Sequence, residues 1–131
     1  MPFQIQADAH IIRTIFSGHL TEAEIGEMAR ELARVDADSS HMRDRLTDFS
    51  AVEHSDFTVE TTQHRAESSR TRVYPNNFRS AIVTPQPLHF GLGRMYQTLS
   101  DNPQVDLRIF KTRAGCGSVA RPEGMTMARC D

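Results

Sequence analysis

Apolar and polar positions alternate from the start of the chain: Phe3, Ile5 and Ala7 are separated by Gln4, Gln6 and Asp8. A period of two belongs to a strand with one buried face. Asp8-Ala9-His10 supplies a turn, and the β-branched run Ile11-Ile12-Arg13-Thr14-Ile15-Phe16 predicts a second strand that stops at Ser17-Gly18. The two read as an opening antiparallel hairpin. The period then lengthens. Ile25, Met28, Ala29 and Leu32 share one face of a helix, with Glu22, Glu27, Arg30, Glu31 and Arg34 elsewhere. Thr21 and Glu24 mark its start as a capping box, in which each side chain accepts a backbone N–H that the first turn leaves unpaired. Leu20 and Ile25 add a hydrophobic staple, and Asp36-Ala37-Asp38-Ser39-Ser40 ends the helix.

Arg45-Leu46-Thr47-Asp48-Phe49 predicts a short third strand. From Ser55 to about Arg72 the residues suit a helix, but only Phe57, Val59 and Ala66 are apolar. Such a helix stays mostly solvated or relies on a partner. Tyr74-Pro75-Asn76-Asn77 turns the chain into a fourth, central strand, Phe78 to Val83. Thr84-Pro85-Gln86-Pro87 opens a third helix, whose apolar stripe is Leu88, Leu92, Met95, Tyr96 and Leu99. After Ser100-Asp101-Asn102-Pro103, the alternation of Val105, Leu107 and Ile109 gives a fifth strand. The order β-β-α-β-α-β-α-β predicts an α/β domain with a single mixed, mostly parallel five-stranded sheet, because strands joined through helices run parallel. Residues 1–111 form this domain, and 112–131 form an irregular tail without periodicity.

Composition narrows the function classes. The 131 residues are 38% hydrophobic and 24% charged, which suits one ordinary globular domain. Fifteen basic residues against seventeen acidic ones give a formal charge of −2. That balance argues against nucleic acid as a partner bound through bulk positive charge. No apolar run is long enough to span a bilayer, and the first residues lack the basic and apolar regions of a signal peptide. Cys116 and Cys130 both fall in the tail and read as reduced thiols, from which a cytoplasmic location is expected.

Candidate chemistry is sparse. His10, His19, His41, His54, His64 and His89 show no metal-ligand spacing. Gly91 and Gly93 lack the third glycine of a dinucleotide fingerprint and the Gly-Lys-Ser/Thr of a P-loop, so they read as small residues that let the third helix approach the sheet. The start of that helix can attract an anion, with Arg94 one turn in. Asp48 and Asp56 flank the end of the third strand, where open α/β sheets place ligands. Ser50, Ser55 and Thr58 read as turn and cap hydroxyls. There is no Gly-x-Ser-x-Gly elbow. No catalytic residue, metal or cofactor is expected.

Two stretches carry a resemblance: Tyr74-Pro75-Asn76-Asn77-Phe78-Arg79-Ser80-Ala81-Ile82-Val83-Thr84-Pro85, and Leu88-His89-Phe90-Gly91-Leu92-Gly93-Arg94-Met95-Tyr96-Gln97-Thr98-Leu99. With the hairpin and Leu46-Thr47-Asp48-Phe49-Ser50-Ala51-Val52, they resemble the small bacterial proteins grouped as STAS/SEC14-like, or SpoIIAA-like, over residues 3–110. The resemblance implies a STAS-like fold similar to that of anti-sigma-factor antagonists. In phosphorylated antagonists a Ser-Ser-Gly motif opens the second helix; this chain has Glu53-His54-Ser55-Asp56-Phe57-Thr58 there, so no such phosphoswitch is expected. The implied role is a non-enzymatic regulatory or protein-interaction module. The other reading is a small-molecule or lipid-binding protein of SEC14-like type, taking a small apolar ligand. Asp48, Ser55, Thr58, His89 and Arg94 are the candidate contacts for ligand or partner. A homodimer is also expected. The resemblance implies a last helix that the sequence lacks, which would leave Phe78, Ala81, Val83, Val105, Leu107 or Ile109 uncovered on the sheet.

Overall fold

The computed structural model describes residues 3–112. The tail expected over 112–131, with Cys116 and Cys130, therefore lies outside the described residues apart from Thr112. Strands β1 (Phe3–Ala7) and β2 (Ile11–Leu20) form the predicted antiparallel hairpin. Its turn is built by Asp8, whose Oδ1 accepts the N–H groups of His10 and Ile11 at 2.8 and 2.9 Å. Those two bonds favour the ionised carboxylate and hold the Asp8 carboxyl below its ordinary value. Helix α1 (Glu22–Ala37) leads to β3 (Asp44–Ser55), α2 (Val59–Arg70), β4 (Phe78–Val83), α3 (Pro87–Ser100) and β5 (Val105–Phe110).

The strands lie side by side in chain order, β1-β2-β3-β4-β5, with β1 antiparallel at one edge and the rest parallel. This is the predicted mixed, mostly parallel sheet. β4 is interior, paired to β3 and β5, while β3 holds the middle. Arg45, Thr47 and Phe49 of β3 and Phe78, Ser80 and Ile82 of β4 point to the side where the helices lie. On the opposite face Ile11, Leu46, Ala81, Val83 and Phe110 form a separate buried cluster. The uncovered sheet patch expected from the sequence is not found: Phe78, Ala81, Val83 and Ile109 are all less than a tenth exposed. Val105 and Leu107 are half-buried. No helix among the described residues is long and apolar enough to cross a membrane.

α1 behaves as its pattern predicts. Ile25 and Leu32 are buried, and Leu20 and Ile25 share a cluster with Phe3, Phe16 and Val52. Of the capping box at its start, one half forms: Thr21 Oγ1 accepts the Glu24 N–H at 3.2 Å, whereas Glu24 Oε2 is buried without a hydrogen-bond partner. The complete box is at α2, which starts later than expected. There Thr58 Oγ1 accepts the Thr61 N–H at 3.1 Å, and Thr61 Oγ1 accepts the Thr58 N–H at 3.0 Å. Helix α3 also differs from expectation. Leu88 is 68% exposed and Leu99 38%, while His89, Leu92 and Ser100 are buried. The inward line keeps Leu92, with Met95 and Tyr96 half-buried as expected, but its two ends shift by one residue, from Leu88 to His89 and from Leu99 to Ser100. It carries Gly93, where a Cβ would come within 3.2 Å of Ile109 Cγ2; a close approach to β5 selects glycine there. Gly91 has open space beside it and makes no such approach.

Candidate functional site

The site begins with a strand that outlasts its sequence signal. Between β2 and β3 the register steps from Ile15↔Asp48 to Ser17↔Ala51, and from Gly18↔Val52 to His19↔His54. β3 thus carries an extra residue twice, as β-bulges do. Gly18, expected to stop β2, instead sits inside it at φ 70°, a conformation that glycine adopts without a Cβ penalty. In the first bulge the buried Asp48 accepts the Ser50 N–H at 2.8 Å. The bulges carry β3 on to Ser55 and deliver that residue to the start of α3.

There Ser55 Oγ meets His89 Nε2 at 2.8 Å. His89 is buried, and loss of water around the ring pushes its pKa below the ordinary histidine value. The ring is therefore neutral at pH 7. A serine hydroxyl on a neutral imidazole is the arrangement that activates nucleophiles when a third group orients the base. Asp56, next to Ser55 in the chain, does not take that part: its carboxylate is 2.8 Å from His19 Nε2, in an exposed pair. The imidazole instead ends a file of rings. Phe3 tilts against Phe16, Phe16 stacks on Phe49 at 5.1 Å, Phe49 meets Phe57 edge-on, and Phe57 meets His89 edge-on at 6.2 Å.

Beside this file a cavity of about 320 Å³ lies between the sheet and the helices. Its apolar wall includes Ile25, Met28, Phe49, Ile82 and Leu92. The wall given by α2 is polar: Thr61, Thr62, Arg65, Ser68 and Ser69 line it. Only Ala66 of that helix is buried. α2 is held by directional bonds in place of apolar contact. Arg65 donates to Glu22 Oε1 of α1 at 2.7 and 3.2 Å, and Ser69 Oγ lies 2.6 Å from the Tyr96 hydroxyl of α3. Beyond its end, Asn102 Nδ2 donates to the carbonyls of Ser69 and Arg72 at 2.8 and 2.9 Å. Three polar atoms of lining residues are buried without a partner: Thr84 Oγ1, Arg45 Nε and Glu22 Oε2. A buried polar atom without a partner costs about 1–3 kcal/mol, so these three atoms lower the stability of the wall.

Of the residues singled out from the sequence, the structure brings Ser55 and His89 together and separates the rest. Thr58 caps α2, Asp48 serves the bulge, and Arg94 is exposed on α3; none of them lines the cavity. Sequence reasoning missed Arg45, Thr84 and the polar side of α2. A signal existed for the last: Thr61, Thr62, Arg65, Ser68 and Ser69 recur at helical spacing, a polar stripe where an apolar one belongs. Among the described residues no group of three or more His, Cys, Asp or Glu is placed to hold a metal ion.

No protein-family model matches the chain, and no curated protein matches it. A solved structure does. It is an uncharacterised protein of the DUF3478 family with a SpoIIAA-like fold, from Shewanella loihica PV-4. The two are 12% identical, with a TM-score of 0.52 over 86% of each chain. The chain thus has a SpoIIAA-like fold, the one that the residues of β4 and α3 suggested.

Proposed function

We propose that the protein is a non-enzymatic binding module that takes a small, partly apolar molecule into the cavity between the sheet and the helices. One observation carries this reading: a cavity of about 320 Å³ persists beneath a helix whose inner wall is polar. Its size falls at the lower end of small-molecule sites, about 300–1,000 Å³. A mixed wall of Phe, Ile and Leu with a few hydroxyls and cations is also what such sites use to combine affinity with orientation. Native mass spectrometry of the protein, purified without detergent, tests it. A bound mass that leaves on denaturation is expected. Bare chain mass, together with no thermal shift from any of a panel of small amphiphiles, overturns the reading.

A regulatory, protein-contacting role is the second reading, favoured by Val59 and Leu88. They are 53% and 68% exposed in the first turns of α2 and α3, which pack together. A homodimer belongs to that reading. Light scattering at micromolar concentration should give twice the chain mass, and Leu88→Ser should lower it; a monomer removes the dimer from the proposal.

A further inference from the structure

The sheet is open, and its two edges are finished differently. On β5 the N–H groups of Phe78 and Thr84 donate to the carbonyls of Gln104 and Phe110. A strand alternates its bonding sides, so Val105, Leu107 and Ile109 turn their backbone groups outward. That edge is guarded. The Val105 N–H donates to the Asn102 carbonyl at 3.0 Å, and Gln97 Nε2 of α3 donates to the Leu107 carbonyl at 2.7 Å. β5 also carries a charge of each sign, Asp106 and Arg108. Cover and charge are common protections of an edge strand.

β1 has neither. The Asp8 N–H donates to the Ile11 carbonyl at 3.0 Å, so by alternation Gln6–Arg13 and Gln4–Ile15 are the pairs that exchange bonds with β2. Phe3, Ile5 and Ala7 turn their N–H and carbonyl groups the other way, where the sheet has no further strand. Phe3-Gln4-Ile5-Gln6-Ala7 contains no charge and no proline, and its register with β2 has no bulge. Gln4, Gln6 and Ala7 are exposed, and Ile5 is only partly buried against the Phe3–Phe16 cluster. An unguarded edge of this kind is a template for another strand.

The strand is its own complement. Turned antiparallel about a two-fold axis at Ile5, a second β1 places Ile5 opposite Ile5, Phe3 opposite Ala7 and Gln4 opposite Gln6. Every outward-facing residue then exchanges hydrogen bonds with its opposite. No like charges meet, the glutamine amides donate to and accept from each other, and the two Ile5 side chains carry the apolar cluster across the junction. The contact is closed, because each copy uses the same edge. We infer that two copies of the chain join edge to edge through β1 and make one continuous sheet. This contact stands apart from the cavity, and it seats the second copy elsewhere than Leu88.

Two double variants test it: Gln4→Lys with Gln6→Lys, and Gln4→Glu with Gln6→Glu. Both positions are exposed, so each variant should keep the wild-type unfolding midpoint. The wild-type chain should sediment as a dimer at micromolar concentration. Each variant alone sets like charges opposite one another on both sides of the axis, and should weaken the dimer by about tenfold. An equimolar mixture should restore a dimer with one chain of each kind. Where the variants are monomeric, amide exchange should rise at Ile5 and Ala7 relative to wild type, while Gln4 and Gln6 stay protected by β2. A wild-type monomer overturns this contact and the Leu88 dimer together. A dimer that both variants keep overturns the β1 contact; if Leu88→Ser dissociates that dimer, the second reading stands without it. Loss of the dimer in both variants with no recovery in the mixture also overturns the contact, since the charges would then not lie opposite each other.

Discussion

α1 and α2 cover the same side of one sheet, and they do it by different physics. α1 packs Ile25 and Met28 against Phe3, Phe16, Leu20 and Val52, and the same apolar stripe, with Leu32, gives the cavity part of its apolar wall. α2 has one buried residue, Ala66, and faces the sheet with hydroxyls and guanidinium groups. Burial is non-directional, so apolar groups move together until no gap is left. Hydrogen bonds and ion pairs act at fixed lengths and directions, and they fix a helix at the distance their geometry sets. The cavity is the remainder. A helix with an apolar stripe in α2's place would have sealed it.

Truncation tests that contrast most strongly. Phe16→Ala should cost about 3–5 kcal/mol in urea unfolding, because Phe16 is fully buried between Phe3 and Phe49. Leu92→Ala, beside existing empty space, should cost about 2 kcal/mol, the low end for such changes. Equal losses would mean that the α2 side is packed as densely as the α1 side.

The caps sharpen the same contrast on a smaller scale. Thr21→Ala and Thr58→Ala each remove a first-turn hydrogen bond worth about 1 kcal/mol. At α1 the loss should appear in global stability, since the helix is locked to the core. At α2, with so little burial behind it, amide exchange should rise over residues 59–70 while the unfolding midpoint moves less. An α2 whose exchange is unchanged in Thr58→Ala would show that its tertiary bonds hold it without the cap.

The smallest effect is one of pH, and on the α2–α3 side it comes from His89. His89 has a folded pKa below the unfolded value of 6.5. Below that pH the unfolded chain binds a proton that the folded protein resists, so His89 lowers stability as pH falls, until the folded ring titrates as well. His89→Gln should remove this part of the slope. The difference in unfolding free energy between variant and wild type should be flat above pH 6.5 and change below it. A difference that stays flat on both sides would place His89 in contact with water.

Much of the fold was legible because most elements keep one period. The hairpin, α1 and the strands after Asn77 and Pro103 read correctly from alternation and caps. β3 did not, since two bulges shift the phase of Phe49-Ser50-Ala51-Val52-Glu53-His54, and a broken alternation looks like the end of a strand. α3 misled in another way: Leu88 is a larger apolar residue than His89, yet the imidazole turns inward because Ser55 waits there. Ser55 and His89 were each recognisable as candidates, but they are 34 residues apart and only the sheet register joins them. Arg45 and Thr84 carry no sequence mark at all. Their importance lies in atoms left without partners, which is a property of the packed state.

The chain contains two tyrosines and no tryptophan. Both tyrosines border the cavity, Tyr74 against Phe78 and Tyr96 with its hydroxyl on Ser69. Tyrosine emission, which in most proteins is masked by indole, here arises wholly from the wall of one cavity. An occupant that presses on either ring or disturbs the Ser69 bond alters the protein's own fluorescence. The molecule carries a built-in optical gauge of its interior, with no label and no indole anywhere in the chain.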